Sequence, residues 1–122
     1  MVAKTVLLVD DDKLIGKMIK AFFLSKGIGV EVATSGAEGL EMLKDKKPDA
    51  VILDLMMPGM NGFEFCEIVK KDDQIKETPI VILSAFPTEK NIERGFSLGA
   101  SQFIKKPFNI RELRDKVVAV MK

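Results

Sequence analysis

Three features of this 122-residue chain predict a doubly wound α/β fold, a five-stranded parallel sheet with helices on both faces. Short apolar runs alternate five times with stretches of helical periodicity, the pattern of strand–helix units joined by right-handed crossovers. The runs at 6–9, 50–53 and 80–83 are apolar without alternation, as strands buried on both faces are. Polar residues gather where the runs end, at Asp10, Asp11, Asp54, Ser84 and Lys106. For five strands the common doubly wound order is 2-1-3-4-5, which sets the first and third strands side by side where the winding reverses.

Each element has a local reason. Thr5 to Val9 is a short apolar strand ending in Asp10-Asp11-Asp12, of which Asp12 suits the N-cap of a first helix. Leu14, Ile15, Met18, Ile19 and Phe22 recur at helical spacing until Gly27 stops it. Val30 to Ala33 makes the second strand. Ser35-Gly-Ala-Glu38 has capping-box spacing and opens a helix that points Leu40 and Leu43 inward and closes before Pro48. The lysine-rich stretch 44–47 suits the negative pole of that helix and is assigned no function. Ala50 to Leu53 delivers Asp54 into the loop Leu-Met-Met-Pro-Gly-Met-Asn-Gly, and Asn61 with Glu64 begins a helix whose inward stripe is Phe65, Ile68 and Val69. Residues 72–79 are a polar loop before the strand Ile80 to Leu83, which terminates at Ser84. Thr88 caps a fourth helix that Gly99 ends. With Gly95 inside it and only Ile92 and Phe96 to anchor it, this helix is expected to be among the least stable elements. Gln102 to Lys105 alternates as an edge strand does, and Asn109 opens a last helix lined by Ile110, Leu113, Val117 and Val120.

Composition narrows the function. The length suits one domain, residues 1–122. Acids and bases nearly balance at a net charge of +1, which leaves no footprint for nucleic acid or for an anionic membrane. The apolar runs are too short to span a bilayer, and Met-Val-Ala-Lys lacks a signal-peptide layout, so a cytoplasmic protein is expected. The single cysteine, Cys66, reads as a buried small hydrophobe. Without histidine, zinc–histidine sites, histidine-based triads and a phosphohistidine role are excluded, so chemistry falls to carboxylates, hydroxyls and lysine.

The topology would bring Asp10, Asp11, Asp54, Ser84 and Lys106 to one sheet edge. Clustered carboxylates repel unless a cation neutralises them, and magnesium, which takes one or two carboxylates and fills its shell with water and phosphate oxygens, suits Asp11 and Asp54. Cation, lysine and hydroxyl form a cradle for a phosphoryl group, with Asp54 as the candidate nucleophile.

These residues carry a resemblance across essentially the whole chain. Leu-Leu-Val-Asp-Asp-Asp (7–12), Asp54-Leu-Met-Met-Pro58-Gly-Met-Asn-Gly62, Ser84-Ala85 and Lys106-Pro107-Phe108 resemble the response-regulator receiver domain of the chemotaxis-regulator (CheY-like) type, with its flavodoxin-like sandwich. The resemblance implies that Asp54 is the phosphoacceptor and that Asp10, Asp11, Asp54 and the Met56 carbonyl form the Mg2+ site. It assigns Ser84 and Lys106 to phosphoryl oxygens and Phe103 to the switch aromatic that moves with Ser84. Many family members carry Thr in place of Ser84, and Tyr or His in place of Phe103, so no hydroxyl contact from that aromatic is available. Met56 and Phe86, two residues beyond Asp54 and Ser84, fall where family members modulate dephosphorylation. The Lys106–Pro107 peptide is expected to be cis, turning Lys106 back toward the site.

The function implied is a two-component phosphorylation switch. Its phosphodonor would be a sensor histidine kinase or a phosphotransfer protein, and its target an unidentified protein. The chain is expected to be a monomer or a weak, phosphorylation-dependent dimer, acting as a stand-alone regulator or phosphorelay intermediate, since no effector follows the fifth helix. It is not expected to be an enzyme beyond its own phosphorylation and dephosphorylation. An aspartate-nucleophile phosphatase would need a second Asp where Met56 stands. A phosphorylation-independent interaction module would call for a broken acceptor site, and every element of the site is present.

Overall fold

The computed structural model describes residues 4–121, so most of the stretch read as lacking a signal-peptide layout lies outside the described residues. The elements are β1 (Lys4–Val9), α1 (Lys13–Ser25), β2 (Ile28–Ala33), α2 (Gly36–Lys46), β3 (Ala50–Asp54), α3 (Gly62–Lys71), β4 (Ile80–Ser84), α4 (Glu89–Ser97), β5 (Gln102–Lys105) and α5 (Ile110–Val120). The sheet is parallel throughout, in the order β2-β1-β3-β4-β5. Its register aligns the strand ends: Val9 lies beside Ala33 and Leu53, Asp54 beside Leu83, and Ser84 beside Lys105.

Two apolar layers hold the sheet. One packs Ile19 and Phe23 of α1 with Leu113 and Val117 of α5 against Val6, Leu8, Ile52, Val81 and Leu83. The other sets Leu43 of α2 and Phe65, Cys66 and Val69 of α3 against Leu7, Val9, Val51, Leu53 and Ile82. Burial explains the continuous apolar sequence of β3 and β4, whose residues are all buried. It also raises the Cys66 thiol to about 11, so the cysteine behaves as a packing residue.

The helix starts are fixed by side-chain caps, each contributing about 1 kcal/mol. Asp12 Oδ1 accepts from the amides of Leu14 (2.9 Å) and Ile15 (3.2 Å). Ser35 Oγ accepts from Glu38 at 3.1 Å, but Glu38 returns its carboxylate to the Thr34 amide instead of the cap residue's own. Asn61 and Glu64 make the full reciprocal box, and Thr88 and Asn109 cap α4 and α5.

Several helix faces differ from the expected stripes. Leu14 and Met18 on α1, Ile68 on α3 and Phe96 on α4 are exposed, because each short helix meets the sheet along a narrower line than its apolar residues mark out. The 72–79 loop, polar in sequence, buries Ile75 in the core. Lys44 is not merely solvated, since it pairs with Asp72 at 3.0 Å and ties the ends of α2 and α3.

Glycine decides two close approaches. A Cβ on Gly39 would stand 2.8 Å from Val9 Cγ2 and 3.1 Å from Phe65 Cε2, both deep in the core. Gly39→Ala should therefore destabilise the domain by about 1–3 kcal/mol despite its better helix propensity, a sign that urea denaturation checks. On α4 only Gly95 is buried, and a Cβ there would sit 3.0 Å from Ile82 Cδ1 and 3.3 Å from Phe103 Cδ2. The Arg94 guanidinium stacks over the Phe63 ring of α3 at 4.2 Å and is the other anchor of this lightly held helix.

Candidate functional site

At the switch point, β1 and β3 end in acids because their apolar stretches finish flush with the sheet's edge. Asp10 is fully buried and Asp54 nearly so, whereas Asp11 stands exposed on the lip. One carboxylate oxygen from each lies within 4.8 Å of the others. Asp10 is held from two sides: its Oδ1 accepts from the Asp12 amide at 2.9 Å, and its Oδ2 accepts from Lys106 Nζ at 3.2 Å. That ammonium, delivered from the end of β5 through a cis Lys106–Pro107 peptide, also stands 3.5 Å from Asp54 Oδ1.

Asp54 is the electrostatically tense member. Burial pushes its pKa up from the ordinary value of 3.8 and the neighbouring Asp10 charge adds to this, while Lys106 and the Met56 amide, which donates to Oδ1 at 3.3 Å, pull the other way. The upward causes win. A carboxylate so placed gains from a further positive charge, and three carboxylate oxygens facing one point suit a hard divalent cation.

Ser84 completes the opposite wall. It is fully buried at the end of β4, and its Oγ accepts from the Phe86 amide at 2.9 Å. The hydroxyl donates to no acceptor among the described residues, so its hydrogen is available to an incoming oxygen. Phe103 sits half-buried on β5 beside Ile82, beneath Gly95 of α4. Met56 and Phe86 are each 56% exposed, one beside Asp54 and one beside Ser84 in sequence and through backbone hydrogen bonds. Next to Lys106 opens a groove of about 380 Å³ lined by Ile15, Met18, Ala85, Pro107 and Phe108.

The structure thus brings together all five polar residues picked out from the sequence. Sequence reasoning missed the Phe63–Arg94 stack and the contact of Gly95 with Phe103. A glycine in the middle of a helix was the one available signal for the latter.

The chain is thus a three-layered (βα)5 domain with an acid cluster, a hydroxyl and a lysine at the carboxyl edge of its sheet. The chain belongs to the response regulator receiver domain family, which matches residues 6–118. It is 36% identical over 122 residues to the phosphate regulon transcriptional regulatory protein PhoB of Pseudomonas aeruginosa, covering all of this chain and 53% of that protein. It is 35% identical over 114 residues to the DNA-binding response regulator MtrA of Mycobacterium leprae, covering 93% of this chain and 49% of the relative. The crystal structure of the chemotaxis protein CheY4 of Vibrio cholerae superposes with a TM-score of 0.91 at 34% identity, covering 97% of this chain and 98% of that one. The chain spans about half the length of the curated relatives it matches. Among the described residues, no helix is long and apolar enough to cross a membrane.

Proposed function

We propose that this domain is a magnesium-dependent phosphorylation switch whose acceptor is Asp54. The observation that carries the reading is the convergence of Asp10, Asp11, Asp54, Ser84 and Lys106 at one sheet edge. Lys106 and the Met56 amide favour the ionised, nucleophilic form of Asp54 against the burial that opposes it. An Asp54 oxygen attacks phosphorus as the bond to the donor breaks, and the departing group keeps the electron pair. Ser84 donates to one phosphoryl oxygen and Lys106 to another, so charge spread over the equatorial oxygens meets fixed donors. Asp10, Asp11 and Asp54, with the Met56 carbonyl that the family resemblance adds, would hold Mg2+. When bound, that ion neutralises phosphoryl oxygens and carboxylates together.

The physiological donor is a histidine kinase or phosphotransfer protein, and the apolar groove beside Lys106 offers it a contact surface. Such donors place the domain in the cytoplasm. No chemistry on an external substrate is assigned, because the site is built around the protein's own carboxylate. The balanced charge argues that this chain contacts a protein target and not nucleic acid directly.

The test is mass spectrometry after incubation with acetyl phosphate and Mg2+. One phosphoryl group should appear on the parent and none on Asp54→Asn. A parent that stays unmodified would replace this reading with a phosphorylation-independent interaction module.

Output follows from Ser84 and Phe103. Once Ser84 turns toward the phosphoryl group, Phe103 has space to move inward, and α4 loses the ring that packs against Gly95. Phosphorylation should therefore change amide hydrogen exchange across residues 86–105, where α4 has little else to hold it. Unchanged exchange there would send the signal out by another surface.

A further inference from the structure

The mouth of the site is flanked by two apolar side chains, and one of them can be chemically converted. Met56 is 56% exposed, and its backbone amide donates to the Asp54 carboxylate at 3.3 Å, which holds this residue's backbone beside the acceptor. The other described methionines are differently placed. Met57 is buried, Met42 and Met60 pack against the core, and the Met60 sulfur lies over Gly36. Met121 packs on the opposite layer, and the half-exposed Met18 belongs to α1. Met56 thus combines an accessible thioether with a position at the phosphoacceptor.

We propose that Met56 is an oxidation site through which peroxide shortens the life of the phosphoryl group on Asp54. This rests on the phosphoacceptor reading above. In the first step the peroxide O–O bond breaks and an S–O bond forms. The sulfur gives up two electrons, and hydrogen peroxide leaves one oxygen on sulfur and departs as water. The thioether, a poor hydrogen-bond acceptor, becomes a polar sulfoxide. Its oxygen accepts from a water at the rim and holds it beside phosphorus. That water attacks phosphorus, the P–O bond to Asp54 breaks with its electron pair returning to the carboxylate, and the proton passes to solvent. Sulfoxide reduction restores the slow state.

The experiment treats the protein with hydrogen peroxide, locates sulfoxides by peptide mass spectrometry, phosphorylates with acetyl phosphate and Mg2+, removes the donor and follows phosphate loss. Oxidation at Met56 should shorten the lifetime about three- to tenfold. Met56→Leu should show no difference between its treated and untreated lifetimes, whereas Met18→Leu should respond as the parent does. Met56→Gln, which puts a carboxamide oxygen at the rim without oxidant, should shorten the lifetime in untreated protein. Three results would overturn the proposal: a Met56 that stays unoxidised, a lifetime that does not shorten once it is oxidised, or a Met56→Leu protein that responds equally. Failure of the untreated parent to take up a phosphoryl group would instead strike the acceptor reading itself, and this proposal with it.

Discussion

Phosphate loss from the phosphorylated domain should quicken about ten- to hundredfold when Met56→Asn and Phe86→Glu are combined. The two side chains are exposed at the mouth, and their amides are bonded to the Asp54 carboxylate and the Ser84 hydroxyl. The family resemblance implies that they would border the approach that water takes toward phosphorus opposite the aspartyl oxygen. Neither a thioether nor a phenyl ring offers a useful hydrogen bond, so neither of these two side chains orders that water. Supplying an amide and a carboxylate at these places restores positioning worth about 1–3 kcal/mol of barrier. The measurement is phosphate release in Mg2+ after removal of the donor. A lifetime unchanged in the double variant would mean that these side chains only pack on their loops and that hydrolysis is limited elsewhere.

Lys106→Met should cost the metal-free domain about 2–3 kcal/mol at neutral pH, most of it recovered by Mg2+. Lys106 is the ammonium that reaches both Asp10 and Asp54, and among the described residues no other lysine or arginine bonds to either carboxylate. Its side chain keeps 18% exposure, which holds the expected loss below that of a fully buried pair. The pH dependence follows from Asp54. In the unfolded chain it ionises near 3.8, but burial and Asp10 raise its pKa in the fold. Between those values the native state binds more protons, so this group's contribution to stability falls as pH rises and the deficit is complete above the folded pKa. Removing Lys106 widens the interval. Parent and variant should converge in acid, where Asp54 is protonated, and diverge toward neutrality. Urea denaturation in EDTA and in Mg2+ across that range measures both effects. Equal stability in EDTA at neutral pH would show that the acid cluster is not held against its own repulsion by this lysine.

Much of this was readable from residues in order. Unbroken apolar runs marked β3 and β4, Asp12, Asn61, Thr88 and Asn109 marked helix starts, and the strand-end positions of Asp10, Asp54, Ser84 and Lys106 followed from the alternation itself. Less readable were the helix faces. Of the apolar stripe of α1, Ile15, Ile19 and Phe22 pack over the sheet, but Leu14 and Met18 stand exposed and Phe23 takes a buried place that the stripe did not include. Periodicity marks which residues share a face of a helix, but not how that face is rotated against the sheet.

By itself the sequence determined the architecture and which polar residues meet at the sheet's carboxyl edge, because strand and helix periods and caps are local properties, and a parallel sheet with right-handed crossovers leaves few topologies. The tertiary structure alone decided the contacts. It set Lys106 between two carboxylates, placed Gly95 against Phe103, stacked Arg94 on Phe63 and packed Ile75 into the core. These join residues distant along the chain, through side-chain directions and close packing that exist only after the layers have come together. Site chemistry depends on such distances, since the attraction of an ammonium for a buried carboxylate grows as separation and local polarity fall.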